Sequence, residues 1–100
     1  MGNSASGEEL SAALKQGAMI VDVRSPGEFA GGHATGAVNY PLGGLASKMD
    51  TLKQTGKPVV FCCASGGRSG SATDMAKGVL PQEVINGGPW QNVQKVVSSM

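Results

Sequence analysis

A cysteine followed by a run of small residues is the segment of this sequence best suited to covalent chemistry. Cys63 comes directly before an alanine, a serine and two glycines, and an arginine and a serine complete the segment. Small residues let successive backbone N–H groups point at one centre, so such a loop at the start of a helix binds anions. These amides and a nearby guanidinium lower a cysteine pKa from about 8.5, which makes Cys63 a candidate nucleophile. The candidate loop consists of Ala64, Ser65, Gly66, Gly67, Arg68 and Ser69.

Cys62 offers an alternative nucleophile in the same segment. Counted from Cys62, the spacing to Arg68 is C-x5-R, which phosphatases with a cysteine nucleophile use, whereas counted from Cys63 it is C-x4-R. The longer loop has room for a tetrahedral phosphate, and the shorter one fits a single sulfur atom. Because side chains alternate between the faces of a strand, we expect Cys62 to point into the sheet's packing and Cys63 to turn into the loop. A phosphatase or arsenate reductase that uses Cys62 remains an alternative, as does a purely structural Cys63.

The cysteine loop follows the most apolar strand of the sequence. Residues 59–62 show no polar alternation, as expected for a central strand that is covered on both faces. Shorter strands are predicted at residues 19–23, 37–40 and 83–85, and Asn86-Gly87-Gly88 is predicted to form a turn. Strands that alternate with helices over short connections predict an α/β fold with an open, mostly parallel sheet and helices on both faces. Ligands bind beyond the carboxyl ends of the strands in such sheets, which is where Cys63 lies.

Helix signals separate the predicted strands. Ser6 and Glu9 have the spacing of a capping box, and Gly17 is well placed to end the helix that they begin. One helical turn is predicted at residues 28–30, and Pro89 is expected at the first position of the last helix. Another helix is expected to have Leu45, Met49 and Leu52 on one apolar face. The helix after the cysteine loop is expected to carry its apolar face on Ala72, Met75, Ala76, Val79 and Leu80.

Length and composition restrict the classes of protein to which the chain can belong. A chain of 100 residues has enough interior for one hydrophobic core, so we expect a single domain over residues 1–100 with its core at about residues 6–97. Charged residues make up only 15% of the chain and leave a net charge of +1, without the basic patch that nucleic acids require. The longest apolar runs have the length of strands, so neither a membrane span nor a membrane partner is expected.

The two cysteines are adjacent, a pattern that fits neither a disulfide framework nor a zinc site. Free thiols fit a reducing compartment, and the N-terminus lacks the apolar region of a secretory signal, so we expect a cytoplasmic location. Residues 1–6 also match the myristoylation pattern M-G-x-x-x-[ST], but no polybasic run or second acylation cysteine accompanies them. The serine of that pattern, Ser6, is already explained as a helix cap.

Two separate motifs make the sequence similar to the rhodanese family of sulfurtransferases in its single-domain form. One is the cysteine loop, where Cys63, Gly66, Arg68 and Ser69 match the family pattern. The other resembles the family's D-V-R, E-F/Y and G-H-I-x-G-A-x-N-x-P stretch, with Ala34 in place of the usual isoleucine. Its matching residues are Asp22, Val23, Arg24, Glu28, Phe29, Gly32, His33, Gly36, Ala37, Asn39 and Pro41. The resemblance covers about residues 10–93.

The resemblance implies a rhodanese-like open parallel sheet of four to five strands with helices on both faces. It also implies a thiosulfate sulfurtransferase in which Cys63 takes a sulfane sulfur from thiosulfate or a persulfide, holds it as a persulfide, and passes it to cyanide or a thiol. This is ping-pong covalent catalysis without a metal or organic cofactor. The loop amides would stabilise the thiolate and the persulfide, and Arg68 would attract the anionic donor. Many relatives carry a basic or polar residue at Ala64, so the resemblance does not specify the donor.

Other polar residues are assigned supporting roles. By the resemblance, Asp22, Arg24 and Glu28 form an ion-pair and hydrogen-bond frame beside the loop rather than an acid/base set. His33 is the only histidine, and a thiolate that its loop stabilises needs no general base, so we expect His33 to be structural and bonded to backbone. The implied partners are a small sulfur donor, a thiol or cyanide acceptor, and a protein as a further class of acceptor. A non-catalytic rhodanese-like module that binds a partner protein is the alternative outside the enzymes.

Overall fold

The structure, a computed structural model, describes residues 4–100, in which helices alternate with the strands of one sheet. The strands are β1 (Met19–Asp22), β2 (Val38–Asn39), β3 (Val59–Cys63) and β4 (Val84–Pro89). The α-helices are α1 (Gly7–Lys15), α2 (Pro26–Ala30), α3 (Met49–Thr55), α4 (Gly67–Lys77) and α5 (Trp90–Ser98), and a 3-10 helix spans Leu42–Lys48. Within the described range no helix is long and apolar enough to cross a membrane. The myristoylation pattern begins in residues 1–3, which lie outside that range.

The strands form one parallel sheet in the order β2-β1-β3-β4. β3 lies between β1 and β4 and all of its residues are buried, as its continuous apolar run predicts. Parallel neighbours require crossover connections, which the intervening helices supply. The predicted open parallel α/β sheet is confirmed, with four strands whose carboxyl ends lie at the same end of the sheet.

Alternation of side chains along β3 divides the core into two layers. Val59, Phe61 and Cys63 face a layer formed with α3, α4 and the 3-10 helix, whereas Val60 and Cys62 face α1 and α5. Helices therefore cover both faces of the sheet, as predicted. Burying one large apolar side chain contributes about 1.5–3 kcal/mol, so these two layers hold the strands in place. The apolar residues predicted to share a helix face, Leu45, Met49 and Leu52, all lie in the first layer.

Side-chain caps determine where the first two helices begin. At α1, the Ser6 hydroxyl accepts a hydrogen bond from the Glu9 amide at 3.2 Å, and the Glu9 carboxylate accepts one from the Ser6 amide at 3.0 Å. The predicted capping box is therefore confirmed, and Gly17, with a φ of +84°, follows the end of the helix. Ser25 and Glu28 form a second box at α2, which places the Glu28 carboxylate at the start of that helix.

α4 begins earlier than predicted and buries only part of the predicted apolar face. It starts at Gly67, after Gly66 adopts a φ of +102°, so Ser69 lies in its first turn. Met75 and Val79, which the apolar spacing predicted to be buried, are 40% and 50% exposed. Ala72, Ala76 and Leu80 are buried as predicted, but the prediction was wrong for Met75 and Val79, because small and hydroxyl-bearing residues of α4 pack against the sheet in their place. The buried residues of α4 are Ser69, Gly70, Ala72, Thr73 and Ala76.

β4 continues through the segment predicted as a turn. Asn86, Gly87 and Gly88 all belong to the strand, and its pairing with β3 skips one residue between Asn86 and Gly88. Gly87 is that extra residue, and a Cβ atom there would lie 2.8 Å from the side chains of Val60 and Val93. The turn prediction was wrong because these glycines permit a β-bulge and close packing instead of a chain reversal.

Candidate active site

Cys63 ends β3, and its sulfur atom lies beneath the loop that leads into α4. The amides of Gly66 and Ser69 donate hydrogen bonds to Sγ at 3.0 and 3.3 Å. Gly66 has a φ of +102°, a conformation that favours glycine, so the turn over the sulfur depends on this residue type. The cradle of backbone amides expected from the small residues is therefore present around the cysteine sulfur, at the start of a helix.

The surroundings of Cys63 favour its thiolate form. Burial raises the pKa of the thiol, but hydrogen bonds that the thiolate form accepts from the Ser69 hydroxyl and from the Ser69, Gly66 and Ser65 amides outweigh burial and lower the pKa below its ordinary value. The charge of Arg68 interacts with this thiolate. Because the thiolate is the nucleophilic form, the site is chemically equipped for covalent catalysis. The Cys63 side chain is fully buried, so a reactant reaches Sγ only after a local movement.

The rest of the loop separates the sulfur from solvent. Ala64, Ser65 and Gly67 are exposed, whereas Ser69 is buried beside Cys63. The outer side of the loop borders a groove of about 390 Å³. That groove is lined by Ser4, Ser65, Gly66, Gly67, Gly70, Ser71 and Asp74.

Arg68 of the loop is paired with Glu28 of α2. Its guanidinium donates to the two carboxylate oxygens at 2.8 and 3.0 Å, and both side chains are partly exposed. The bond from Arg68, followed by the bonds from the Ser25 amide and hydroxyl, lowers the pKa of Glu28 to about 2. Glu28 is thus linked directly to the cysteine loop. Asp22 and Arg24, which were expected in the same frame, form a separate pair.

That second pair, Asp22 and Arg24, is buried at the carboxyl end of β1. The guanidinium of Arg24 donates to the Asp22 carboxylate at 2.7 and 3.0 Å and to the backbone oxygen of Gly32 at 2.6 Å. The side-chain amide of Asn39 donates to the backbone oxygens of Asp22 and Arg24. These bonds join the ends of β1 and β2, so Asp22 and Arg24 form an ion pair there, whereas Glu28, which the resemblance placed in the same frame, pairs with Arg68.

His33 contacts the backbone of α2. Its Nδ1 lies 2.8 Å from the backbone oxygen of Phe29, and its ring stacks on the Phe29 ring with 3.7 Å between the centroids. This geometry is the backbone-bonded arrangement expected for a structural histidine. Across residues 4–100, the His, Cys, Asp and Glu side chains form no group of three that could hold a metal ion.

Cys62 lies on the opposite face of β3 from Cys63. It is buried in the layer formed with α1 and α5, and burial, followed by the charge of Asp22, raises the pKa of the thiol to about 12. A thiol with this pKa is protonated near neutral pH and is a poor nucleophile. The loop that carries Arg68 surrounds Cys63 instead, as the alternation of side chains along the strand predicts.

Asn86 is a polar residue of the site that the sequence analysis missed. Its Oδ1 accepts hydrogen bonds from the Ser69 hydroxyl at 2.7 Å and from the Gly88 amide at 3.0 Å. A signal was available, because β4 is the parallel neighbour of β3 and a polar residue near its carboxyl end lies beside the cysteine loop. The Asn-Gly-Gly sequence concealed this position because it is typical of a turn.

Similarity to known proteins covers most of the chain. The family model of the rhodanese-like domain matches residues 6–95. The uncharacterized protein YqhL of Bacillus subtilis is 43% identical over 79 residues, which are 79% of this chain and 61% of YqhL. Thiosulfate sulfurtransferase 16, a chloroplastic protein of Arabidopsis thaliana, is 38% identical over 60% of this chain and 59% of its own length. The chain therefore spans about 60% of the length of these curated relatives.

A solved structure extends this similarity to the fold. The human single-domain sulfurtransferase TSTD1 superposes with a TM-score of 0.68 and 30% identity, over 92% of this chain and 95% of TSTD1. The parallel sheet described above is thus the rhodanese fold. The matched residues of the family model include both the cysteine loop and the motif that begins at Asp22. This chain belongs to the rhodanese-like domain family.

Proposed function

We propose that this chain is a sulfurtransferase that carries a sulfane sulfur as a persulfide on Cys63. The observation that supports this most strongly is the cradle around Sγ, where the Gly66 and Ser69 amides donate at 3.0 and 3.3 Å. One relative and one structural neighbour, described above, are named as sulfurtransferases, which agrees with the proposal. The short C-x4-R loop suits one additional sulfur atom better than a phosphate.

In the first half of the reaction, the Cys63 thiolate attacks the outer sulfur of a donor such as thiosulfate. A new S–S bond forms on Cys63, the S–S bond of thiosulfate breaks, and sulfite leaves with the electron pair. The negative charge then lies on the terminal sulfur of the persulfide. The loop amides and the positive end of α4 stabilise such a charge, and a persulfide donor would react in the same way.

In the second half, a nucleophilic acceptor attacks the terminal sulfur of the Cys63 persulfide. With cyanide, a C–S bond forms, thiocyanate leaves, and the electron pair of the broken S–S bond returns to Cys63 as thiolate. A small thiol or a protein thiol would accept the sulfur in the same way and become a persulfide. A reducing compartment such as the cytoplasm, where Cys62 and Cys63 remain free thiols, is part of this proposal.

Mapping the sulfur that the protein takes up tests the proposal. The protein is incubated with thiosulfate, and mass spectrometry with fragmentation identifies which cysteine gains the mass of one sulfur. We expect Cys63 to gain it, and we expect Cys63→Ser to lose transfer to cyanide because the remaining thiol, Cys62, is buried and its pKa is raised to about 12.

The matched control is Cys62→Ser, which changes the neighbouring thiol and should retain most of the transfer rate. Full transfer in Cys63→Ser would contradict the assignment. Turnover of p-nitrophenyl phosphate that is lost in Cys62→Ser and kept in Cys63→Ser would support the phosphatase alternative. A wild-type protein that takes up no sulfur from thiosulfate or from a small persulfide would support a binding module without catalysis.

A further inference from the structure

The hydroxyl of Ser69 has three hydrogen-bonding atoms around it and only one hydrogen atom to donate. Its Oγ lies 2.7 Å from Asn86 Oδ1, 3.1 Å from the backbone oxygen of Gly66, and 3.4 Å from Cys63 Sγ. A hydroxyl donates one hydrogen bond at a time, although it can accept two. The orientation of this one hydrogen therefore decides whether Ser69 donates to the sulfur or accepts from it.

The Asn86 side chain favours the orientation that points away from the sulfur. The Gly88 amide can only donate, so the Asn86 atom 3.0 Å from it is the amide oxygen, which can only accept. That oxygen is also the nearest of the three acceptors around Ser69. With the hydrogen of Ser69 directed to Asn86, the Ser69 oxygen presents its lone pairs to Cys63, where they accept a bond from the thiol S–H.

When Cys63 loses its thiol proton, the hydrogen bond between Cys63 and Ser69 has to reverse its direction. A thiolate has no hydrogen to donate, so the lone pairs of Ser69 would face a negative charge unless the hydroxyl turns and donates to Sγ. Turning the hydroxyl breaks its 2.7 Å bond to Asn86. Asn86 therefore stabilises the thiol relative to the thiolate, in opposition to the loop amides.

We propose that Asn86 is a positioning residue of the site, which sets the balance between thiol and thiolate at Cys63 through the orientation of the Ser69 hydroxyl. As a statement about sulfur transfer, this inference rests on the proposed function. Asn86 is suited to the role because its side chain is buried, with 6% of the residue exposed, and its backbone is fixed in β4. The backbone oxygen of Asn86 also accepts a hydrogen bond from the Ala5 amide at 2.7 Å. The Asn86 side chain acts on Cys63 through Ser69.

The other charges near Cys63 are the same with and without the side-chain amide of Asn86. The ionisable groups whose charges interact with Cys63 are Arg68 of α4, which is paired with Glu28 of α2, and Cys62 of β3. The further charged side chains on the surrounding elements are Asp22 and Arg24 at the end of β1, which are buried and paired with each other, and the solvent-exposed Lys48, Asp50, Lys53, Asp74 and Lys77. A substitution at position 86 that removes only the amide changes none of these groups.

The test measures the thiolate of Cys63 against pH by its ultraviolet absorbance, in a Cys62→Ala background that leaves one thiol. Asn86→Leu, which keeps the size of the side chain and removes the acceptor, should lower the titration midpoint. The expected shift is about 0.5 pH unit, or about a threefold change in the thiolate-to-thiol ratio, the size expected for one neutral hydrogen bond. Ser69→Ala should raise the midpoint, because the thiolate loses a donor.

The double variant decides whether Asn86 acts through Ser69. In a Ser69→Ala background, Asn86→Leu should no longer shift the midpoint. A merely structural residue would not show this dependence on Ser69. The proposal would be overturned if Asn86→Leu raised the midpoint or left it unchanged when Ser69 is present. It would also be overturned if Asn86→Leu shifted the midpoint equally with Ser69 and with Ser69→Ala.

Asn86→Asp keeps the shape of the side chain and provides a second variant if Asn86→Leu does not fold. The carboxylate holds the Ser69 hydrogen more strongly, so the midpoint should rise, and by more with Ser69 present than in Ser69→Ala. Equal rises in the two backgrounds would contradict the coupling. These titrations need no sulfur donor. If they give the expected shifts while Cys63 takes up no sulfur, the proposed function fails and the assignment of Asn86 to the ionisation of Cys63 stands.

Discussion

Arg68 and Glu28 are joined by two hydrogen bonds across 40 residues of sequence, at 2.8 and 3.0 Å. These bonds tie the part of the cysteine loop that forms the first turn of α4 to the start of α2. A carboxylate that holds the guanidinium in this way also competes with any anionic donor for the same cation. The pair therefore both orders the loop and limits the positive charge at its mouth.

Removing the carboxylate should make the site more receptive to thiosulfate. Glu28→Gln leaves Arg68 with its full charge and preserves the capping of α2, because glutamine serves at that position of a capping box. We expect the KM for thiosulfate to fall by up to about fivefold, with a smaller effect at high salt, because partly exposed charges are screened. The measurement is steady-state transfer to cyanide at two ionic strengths.

The matched control for this charge change is Glu83→Gln, which removes an exposed carboxylate just before β4, at the opposite end of that strand from the cysteine loop. It should leave the KM unchanged. An equal fall in KM in both variants would show that overall charge, rather than release of Arg68, is responsible.

The length of the cysteine loop should determine the reaction. The Ser69 amide donates to Cys63 Sγ at 3.3 Å. Inserting one glycine between Gly66 and Gly67 should move this amide away from the sulfur. We expect sulfur transfer to fall by about 100-fold or more, the loss that follows removal of one donor from an oxyanion hole. One glycine inserted between Gly56 and Lys57, in the exposed turn before β3, should leave transfer intact. Wild-type-like transfer in the loop variant would mean that convergence of the amides is unnecessary.

The buried thiol of Cys62 should make stability depend on pH in the alkaline range. Its pKa is raised from 9.0 to about 12 in the folded protein, so above about pH 9 the unfolded chain loses this proton while the folded chain keeps it. The unfolded state then binds fewer protons, and the free energy of unfolding falls as pH rises toward 12. Urea unfolding between pH 8 and about pH 11 measures this slope.

Cys62→Ala should flatten the slope above about pH 10, whereas Cys63→Ala should leave that part of the slope unchanged. The pKa of Cys63 is lowered in the folded protein, so above about pH 10, one unit above the pKa of the unfolded thiol, Cys63 is ionised in both states and contributes no further slope. An unchanged slope in Cys62→Ala would show that other groups govern alkaline unfolding.

Gly87 should tolerate no side chain without a loss of stability. A Cβ atom would lie 2.8 Å from Val60 Cγ1 and Val93 Cγ2 and 2.9 Å from the backbone oxygen of Phe61. Gly87→Ala should therefore lower the free energy of unfolding by about 1–3 kcal/mol, as overpacking of a core does. Gly43→Ala is the control, because a Cβ there meets no atom within 4 Å, and stability should stay the same or rise by at most about 1 kcal/mol. Equal effects in the two variants would contradict the packing argument.

Local patterns in the sequence were sufficient to predict the elements around the site. The capping box of Ser6 and Glu9, the apolar run of β3 and the alternation that separates Cys62 from Cys63 depend on neighbouring residues alone. The cysteine loop was predictable for the same reason, since Gly66 is the residue type that a positive φ favours. These features need no knowledge of which distant segments meet.

The features that the sequence did not reveal depend on distant partners. The β-bulge at Gly87 exists only in relation to β3, so Asn-Gly-Gly alone was mistaken for a turn. Glu28 was expected to form one frame beside the cysteine loop with Asp22 and Arg24, but its ion-pair partner is Arg68, which the crossover that carries α4 brings to it. Met75 and Val79 were expected to be buried but are exposed, because Thr73 and its small neighbours lie closest to the sheet, a property of packing rather than of hydrophobicity.

The outer strands of the sheet are protected in different ways against pairing with other chains. β2 spans only Val38–Asn39 and offers little backbone to a further strand. Beside β4, Ala5 donates to the backbone oxygen of Asn86 at 2.7 Å, and Ser4 lies against Gly88. Exposed strand edges are templates for aggregation, and natural proteins commonly shorten or cover them. A second copy that pairs through this part of β4 must first displace residues 4–5 of its own chain, which disfavours growth of the sheet from one molecule to the next.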